Sequence, residues 1–345
     1  MTLRPHSQDT GKSSFFGNFV YERVVPKDHF LVALENLFDW KAISQELIGA
    51  YRGRGLYGRP PYDPAQIFKM LFISYLYGVS EREVEQLVNY HLVAKWFVGL
   101  AVDEPAPDHS TLTVFKNRFL GENTWQRLVG CFNDLLQQAR EQGLEIGHIQ
   151  ILDSVHTQAD VNLDKEHKRQ DQGRPPRDPD ARVVNKGRRE VVEPDGRRTQ
   201  KQIRYQGYKS HVSLNAETGI ITSLLASRGN QADNQVFPDL LSHDQALQLP
   251  TDTYGGDRAY DDTDIYERLE AAGLQSGICL RRFRTQKKDP HKERWIALQA
   301  TPQYQEATAQ RYRVEQAFGP AKQKHGFGRC RYIGLLRYRI QSRLY

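Results

Sequence analysis

The stretch Ile146-Gly-His-Ile-Gln-Ile-Leu-Asp153 decides the reading of this chain. Its apolar and β-branched residues predict a strand, and the strand runs straight into an acid. Working toward the C-terminus, Tyr205 to Leu214 alternates and meets Asn215-Ala-Glu-Thr-Gly219, a hairpin turn, with Ile220 to Ala226 as partner strand. Asp233 to Gln248 reads as a helix. Thr251 to Tyr254 reads as a short strand that leads through Gly255-Gly256 to Asp257. A helix over Thr263–Ala272, a strand over Gly277–Leu280 and a final helix over Glu306–Lys322, kinked at Gly319-Pro320, complete the series. The fold class is therefore α/β, a mixed sheet flanked by helices.

Working toward the N-terminus, the pattern is helical throughout. Asp28 to Ala50 places Phe30, Leu31, Leu34, Leu37 and Phe38 at helical spacing. A glycine-rich turn, Tyr51 to Gly58, follows. Asp63-Pro64 then opens a helix to Tyr77, with Asp as N-cap and Pro in the first turn. Ser80 with Glu83 forms a capping box for the next helix, and His91 to Gly99 is a third. Three short helices with tight turns suit a helix-turn-helix unit or an ordinary bundle. Glu122 to Gln142 is a long amphipathic helix. The predicted organisation is a loose arm over 1–17, a helical domain over 18–105, connecting helices over 106–145 and an α/β domain over 146–345. Residues 164–203 are highly charged with no sustained apolar period, and read as a flexible or loosely hairpinned insertion.

The chain has 345 residues and a formal net charge of +6. That value conceals large opposed charges: −4 over residues 1–163, +6 over 164–209, −8 over 210–280 and +12 over 281–345. A basic end beside an acidic middle suits a polyanion partner, or a merely solvated surface. The composition excludes collagen and wholesale disorder. Cys131, Cys279 and Cys330 are too few and scattered for a disulfide framework or a Cys-pair zinc site. Ile67 to Val79 is the longest apolar stretch, too short and too interrupted to span a bilayer, and Met1 to Phe16 lacks a signal-peptide apolar region. A cytoplasmic protein with no membrane contact is expected.

Two predicted strands end in acids, Asp153 and Asp257, and residues past strand carboxyl ends gather at one crevice. The last helix offers Glu315, with Arg311 four residues before it and Lys322 seven after it, all on one helical face. If these three carboxylates meet, they form an oxygen-ligand site for Mg²⁺ or Mn²⁺. They cannot easily be adjacent and ionised without a cation. Taken singly, each acid also fits a cap, a turn or a surface ion pair. Lys209 and His211 alternate on the hairpin strand and so share a face; they are read as phosphate contacts near the metals, or as a surface lysine and a core histidine.

Several ordered motifs resemble those of bacterial insertion-sequence transposases of the DDE type. They are Gly58-Arg-Pro-Pro-Tyr-Asp-Pro64, Asp108-His-Ser-Thr-Leu112, Leu152-Asp-Ser-Val-His-Thr-Gln-Ala159, Asp180-Ala-Arg182, Gly207-Tyr-Lys-Ser-His211, Gly229-Asn-Gln-Ala-Asp233, Gly256-Asp-Arg-Ala-Tyr260 and His325 to Gly334. Arg311, Glu315 and Lys322 fit the family's Tyr-x2-Arg-x3-Glu-x6-Lys signature, with Thr308 where the Tyr would stand. The resemblance covers about residues 20 to 345. It implies an RNase H-like catalytic domain that binds two Mg²⁺ or Mn²⁺ ions through Asp153, Asp257 and Glu315. It also implies a helical N-terminal domain that recognises DNA ends. Lys209, His211, Arg258, Tyr260, Arg311 and Lys322 become the expected DNA contacts.

The partners implied are double-stranded DNA, both terminal inverted repeats and target, and a second copy in a homodimer on that DNA, nucleoid-associated when bound. The expected chemistry is strand cleavage freeing a 3′-OH, followed by strand transfer. A non-catalytic DNA-binding regulator and an unrelated RNase H-like nuclease are the alternatives. Family members usually continue their last helix past the point where Gly334 to Tyr345 stops, so the resemblance implies the expectation of a shortened chain.

Overall fold

The computed structural model describes residues 15–51, 60–194, 196–286 and 289–345. The described chain divides into two compact units. The first runs to Leu144 and includes Leu344–Tyr345, and the second spans Glu145–Arg343. Among the described residues no helix is long and apolar enough to cross a membrane.

The first unit is all-helical: α1 (Phe15–Val24), α2 (Phe30–Leu37), α3 (Trp40–Ile48), α4 (Pro64–Leu76), α5 (Glu81–Tyr90), α6 (Leu92–Val98), α7 (His109–Asn117) and α8 (Glu122–Glu141). The helix expected over 28–50 is two helices. The Asp39 side chain accepts from the backbone N–H groups of Lys41 and Ala42 and so starts a new helix. The Asp63 cap, Pro64 in the first turn and the Ser80–Glu83 capping box are all present. α4 is nearly all buried and carries Lys69 inward, where Glu35 lies 2.5 Å from Nζ and the rings of Trp40 and Phe97 face the cation. Such a pair satisfies a charge that could not be buried alone. The expected glycine-rich turn lies mostly outside the described residues, as does most of the expected loose arm, whose last residues already belong to α1.

The second unit runs β1 (Ile149–Gln158), α9 (Leu163–Asp171), β2 (Arg182–Val192), β3 (Arg198–Asn215), β4 (Ile221–Arg228), α10 (Asp233–Ala246), β5 (Thr253–Gly256), α11 (Thr263–Ala271), β6 (Gln275–Ile278), α12 (Lys292–Gln299), α13 (Pro302–Gln310), α14 (Tyr312–Gln323) and α15 (Leu335–Arg343). The sheet order is β2-β3-β1-β5-β6, with β4 also paired to β3. β1, β5 and β6 are parallel, and β3 is antiparallel to β1, β2 and β4. This is the mixed sheet the sequence predicts. The Asn215–Gly219 turn closes β3 on β4, with Gly219 at φ +74, where a side chain would be strained.

Three expectations are corrected. Residues 164–203 are not a loose insertion but α9 and the outer part of a β2–β3 hairpin, interrupted by a register shift between Asn185 and Arg188, because backbone pairing satisfies a segment that has no core of its own. β3 accordingly starts at Arg198, not at Tyr205. The final helix breaks at Arg311 between α13 and α14, while Pro320 stays within α14.

The two faces of the sheet are built differently. On one, α10 and α11 share a core with Leu152, Phe237, Tyr254, Tyr266 and Trp295. On the other, α13 comes to backbone distance. A Cβ at Gly277 would meet the Ala307 Cβ at 2.3 Å, and one at Gly255 would lie 3.2 Å from it. β5 and β6 register Gly255 against Gly277, so the two glycines form one bare patch under Ala307. Gly277→Ala should therefore destabilise the protein by about 1–3 kcal/mol through overpacking. Urea unfolding checks this, and an unchanged midpoint would mean that α13 is free to lift.

Candidate active site at the strand carboxyl ends

β1 does not end at Asp153 as the sequence predicts but runs on to Gln158 along β3; what stops beside Asp153 is its parallel pairing with β5, and that register brings Asp153 next to Asp257. Leu152 on β1 pairs with Gly256 on β5, and Gly256 pairs with Ile278 on β6. The next residues, Asp153, Asp257 and Cys279, therefore stand side by side across three parallel strands about 4.8 Å apart. Alternation puts Asp153 on the same face as Ile151, the face that α13 covers. The Asp257 carboxylate accepts from Ala259 N–H at 2.8 Å, and that of Asp153 accepts from Ser154 N–H at 2.6 Å. Arg311, at the break between α13 and α14, sits over this edge. Its guanidinium contacts Cys279 Sγ at 3.6 Å and is acted on by the charges of Asp257 and Asp153.

Electrostatics sets these acids apart. Burial pushes the Asp153 carboxyl up to about 6 from the usual 3.8; the Ser154 N–H opposes this, Asp257 and Asp233 add to it, and Arg311 offsets part. Asp233 behaves in the opposite way. Burial would raise it, but hydrogen bonds from His211 and Ser154 and the Lys209 charge hold it at about 2. Lys209 Nζ reaches the Asp233 carboxylate at 3.2 Å and the Gln231 carbonyl at 2.9 Å, and His211 Nδ1 reaches the same carboxylate at 3.1 Å. His211 Nε2 is 2.8 Å from Ser227 Oγ.

Lys209 and His211 do share a face, yet both are buried against Asp233. The two side chains expected to contact phosphate thus both face the Asp233 carboxylate within the fold. Tyr260 is likewise enclosed. Its side chain is fully buried, so it presents no surface to DNA. Its hydroxyl has no hydrogen-bond partner, and burial plus the charges of Asp233, Asp153 and Asp257 push its acidity far out of reach. Arg258 and Lys322 are exposed.

Glu315 lies in the first turn of α14, exposed, one turn beyond Arg311, and α14 packs against β1 through Val314 and Phe318. The charges that shift Asp153 most are those of Asp257, Arg311 and Asp233. Among the described residues, the set of three metal-ligating side chains within 4.8 Å of one another is Glu85, Asp108 and His109, in the first unit. There the polar groups satisfy one another: His109 Nδ1 meets Glu85 at 2.7 Å, Nε2 lies 3.4 Å from Arg82, and Asp108 caps α7. Asp153, Asp257 and Glu315 do not close to that spacing.

The donors at the strand ends fit a hard divalent cation. They are carboxylate oxygens, one of them destabilised in its ionised form, beside an orphaned buried hydroxyl. The sequence reading passed over Asp233 as a site residue. The signal for it lies in Lys209 and His211 at alternate positions, a cation and a hydrogen-bonding imidazole on one strand face that suit a buried acid.

Family models match two stretches. One described as "Transposase domain (DUF772)" matches residues 19–118, and one described as "Transposase DDE domain" matches residues 157–344. Among solved structures, a cryo-EM structure of a piggyBac transposase synaptic complex with hairpin DNA is similar at 11% identity and TM-score 0.33, over 77% of this chain. The chain spans about half, 53%, of that protein.

The Asp153 shift has a stability consequence. Above pH 6 the folded state holds Asp153 ionised at a penalty the unfolded chain does not carry, and well below pH 3.8 both states are protonated and the penalty is gone. In chelator, Asp153→Asn should thus be more stable than wild type by about 2–3 kcal/mol at pH 8. The gain should shrink to about 0.5 kcal/mol at pH 4. Equal urea midpoints at both pH values would contradict the burial of this carboxyl.

Proposed function

The chain belongs to the DDE transposase family, and from that premise we propose that it is the transposase of a bacterial insertion sequence, cutting DNA at the terminal inverted repeats and joining the freed end to target DNA. The observation that carries this reading is the register that sets Asp153 and Asp257 side by side at the strand ends, under Arg311. Asp153 and Asp257 would hold a divalent ion. Glu315, one helical turn from Arg311 on the helix that packs on β1, would complete the set for a second ion. When bound, two Mg²⁺ or Mn²⁺ ions supply charge stabilisation for the attacking and leaving oxygens of phosphoryl transfer.

The chain's own groups have separable tasks. Arg311 lies at the carboxylate edge, where a scissile phosphate would lie. Asp233 stays ionised and, through Ser154, would hold the middle of β1 in place beside Asp153. The Tyr260 hydroxyl is placed to donate to a site carboxylate once that group is ionised and drawn toward a cation. Arg258 and Lys322 are exposed and suited to the flanking DNA backbone. The helical first unit would recognise the DNA ends, and a homodimer would hold two ends together.

Cleavage of a duplex carrying the element's terminal repeat, in Mg²⁺, tests this. Asp153→Ala, Asp257→Ala and Glu315→Ala should each bind the duplex and cut it at least about a thousandfold more slowly than wild type. Equal cutting by wild type and all three variants would overturn the carboxylate assignment. Tight binding without cutting by wild type itself would make the chain a regulator that occupies the ends.

A further inference from the structure

The β2–β3 ribbon has a use that the carboxylate site does not absorb. β1 begins to pair with β3 only at Gly207, and β4 only at Tyr208. Residues Arg198–Gln206 therefore pair with β2 alone, a two-stranded ribbon about 30 Å long at about 3.3 Å per residue. Two strands with no third to pack on are marginal in water. Both faces of this ribbon are largely exposed.

The two faces differ. Register pairs Arg188 with Gln202, Glu190 with Gln200 and Val192 with Arg198, and alternation adds Arg204 to the same face. The opposite face pairs Arg189 with Lys201 and Val191 with Thr199, and carries Ile203. On the first face Arg198 is engaged by Glu190 at 3.4 Å, while Arg188 and Arg204 carry no ion pair among the described residues. Arginine and glutamine are the side chains that make two-bonded contacts with guanine and adenine edges, and a two-stranded β-ribbon fits the major groove, about 12 Å wide.

Resting on the transposase reading, we infer that this ribbon lies in the major groove of duplex DNA, with the Arg188, Gln200, Gln202 and Arg204 face toward the base edges. β3 is one strand from the ribbon to the site: Val212 on it pairs with Asp153. From Gln202 to Val212 is ten residues, about 33 Å of extended chain. One turn of B-DNA is about 34 Å. Once the ribbon is seated in the groove, β3 thus sets its contact about one helical turn from the phosphate that is cut.

The test uses the full chain, the terminal-repeat duplex and guanine N7 methylation interference, which probes the major groove. Wild type should show interference about ten base pairs from the cut. Arg188→Ala with Arg204→Ala should remove that interference and weaken binding roughly tenfold. The charge-matched pair Arg189→Ala with Lys201→Ala should leave the interference in place. Equal loss of binding by both pairs would overturn the inference in favour of undirected charge. Wild-type affinity in both pairs, with a lost dimer mass in light scattering, would assign the ribbon to a second copy instead. A wild type that cuts while the ribbon variants bind like it refutes the ribbon alone; a wild type that neither binds nor cuts refutes the transposase reading and the ribbon with it.

Discussion

Everything at the strand ends depends on how closely α13 can approach the sheet. Gly255 and Gly277 leave bare backbone under Ala307, and a methyl group at Gly277 would overlap it. The close approach carries Arg311, at the end of α13, over Asp153 and Asp257. It also starts α14 against β1, so that Glu315 follows Arg311 by one turn. A helix held even one side chain higher would leave the strand-end acids without a facing cation and move Glu315 away from them.

On this frame the chain builds two kinds of carboxylate within one small volume. Asp233 has two cationic or hydrogen-bonding partners and remains charged in any ordinary buffer. Asp153 has only a backbone N–H and a partial share of Arg311, and its proton is held up to about pH 6. The difference assigns them different work. A fully satisfied carboxylate is a strut, whereas an unsatisfied one has unused affinity for a cation. Metal binding below about pH 6 would then release a proton from the site. The orphaned Tyr260 hydroxyl points the same way, since buried polar groups without partners concentrate at functional sites.

Much of the fold is legible in the sequence because it is written in local patterns. The Asp63-Pro64 start, the Ser80–Glu83 box and the Asn215–Gly219 turn each specify their own geometry within a few residues. The two strand-end acids are legible for the same reason: each follows a short apolar run. The ribbon is not. Its residues are polar on both faces, so no period announces strands, and the pairing of Arg188 with Gln202 is a backbone matter. The roles of Lys209, His211 and Tyr260 are illegible for another reason. Basic and aromatic side chains beside catalytic acids suit DNA contacts, yet burial here is decided by Asp233 and α10, which lie far along the chain.

The central claim is that Asp153 and Asp257 form one cation site that α14 completes. Loading the protein with Fe²⁺ in place of Mg²⁺ and adding ascorbate and peroxide cuts the backbone where the metal sits. The account predicts cuts clustered beside Asp153 and Asp257, with a further cut beside Glu315, all competed by Mg²⁺. Cuts confined to the neighbourhood of Glu85, Asp108 and His109, or none that Mg²⁺ suppresses, would contradict it.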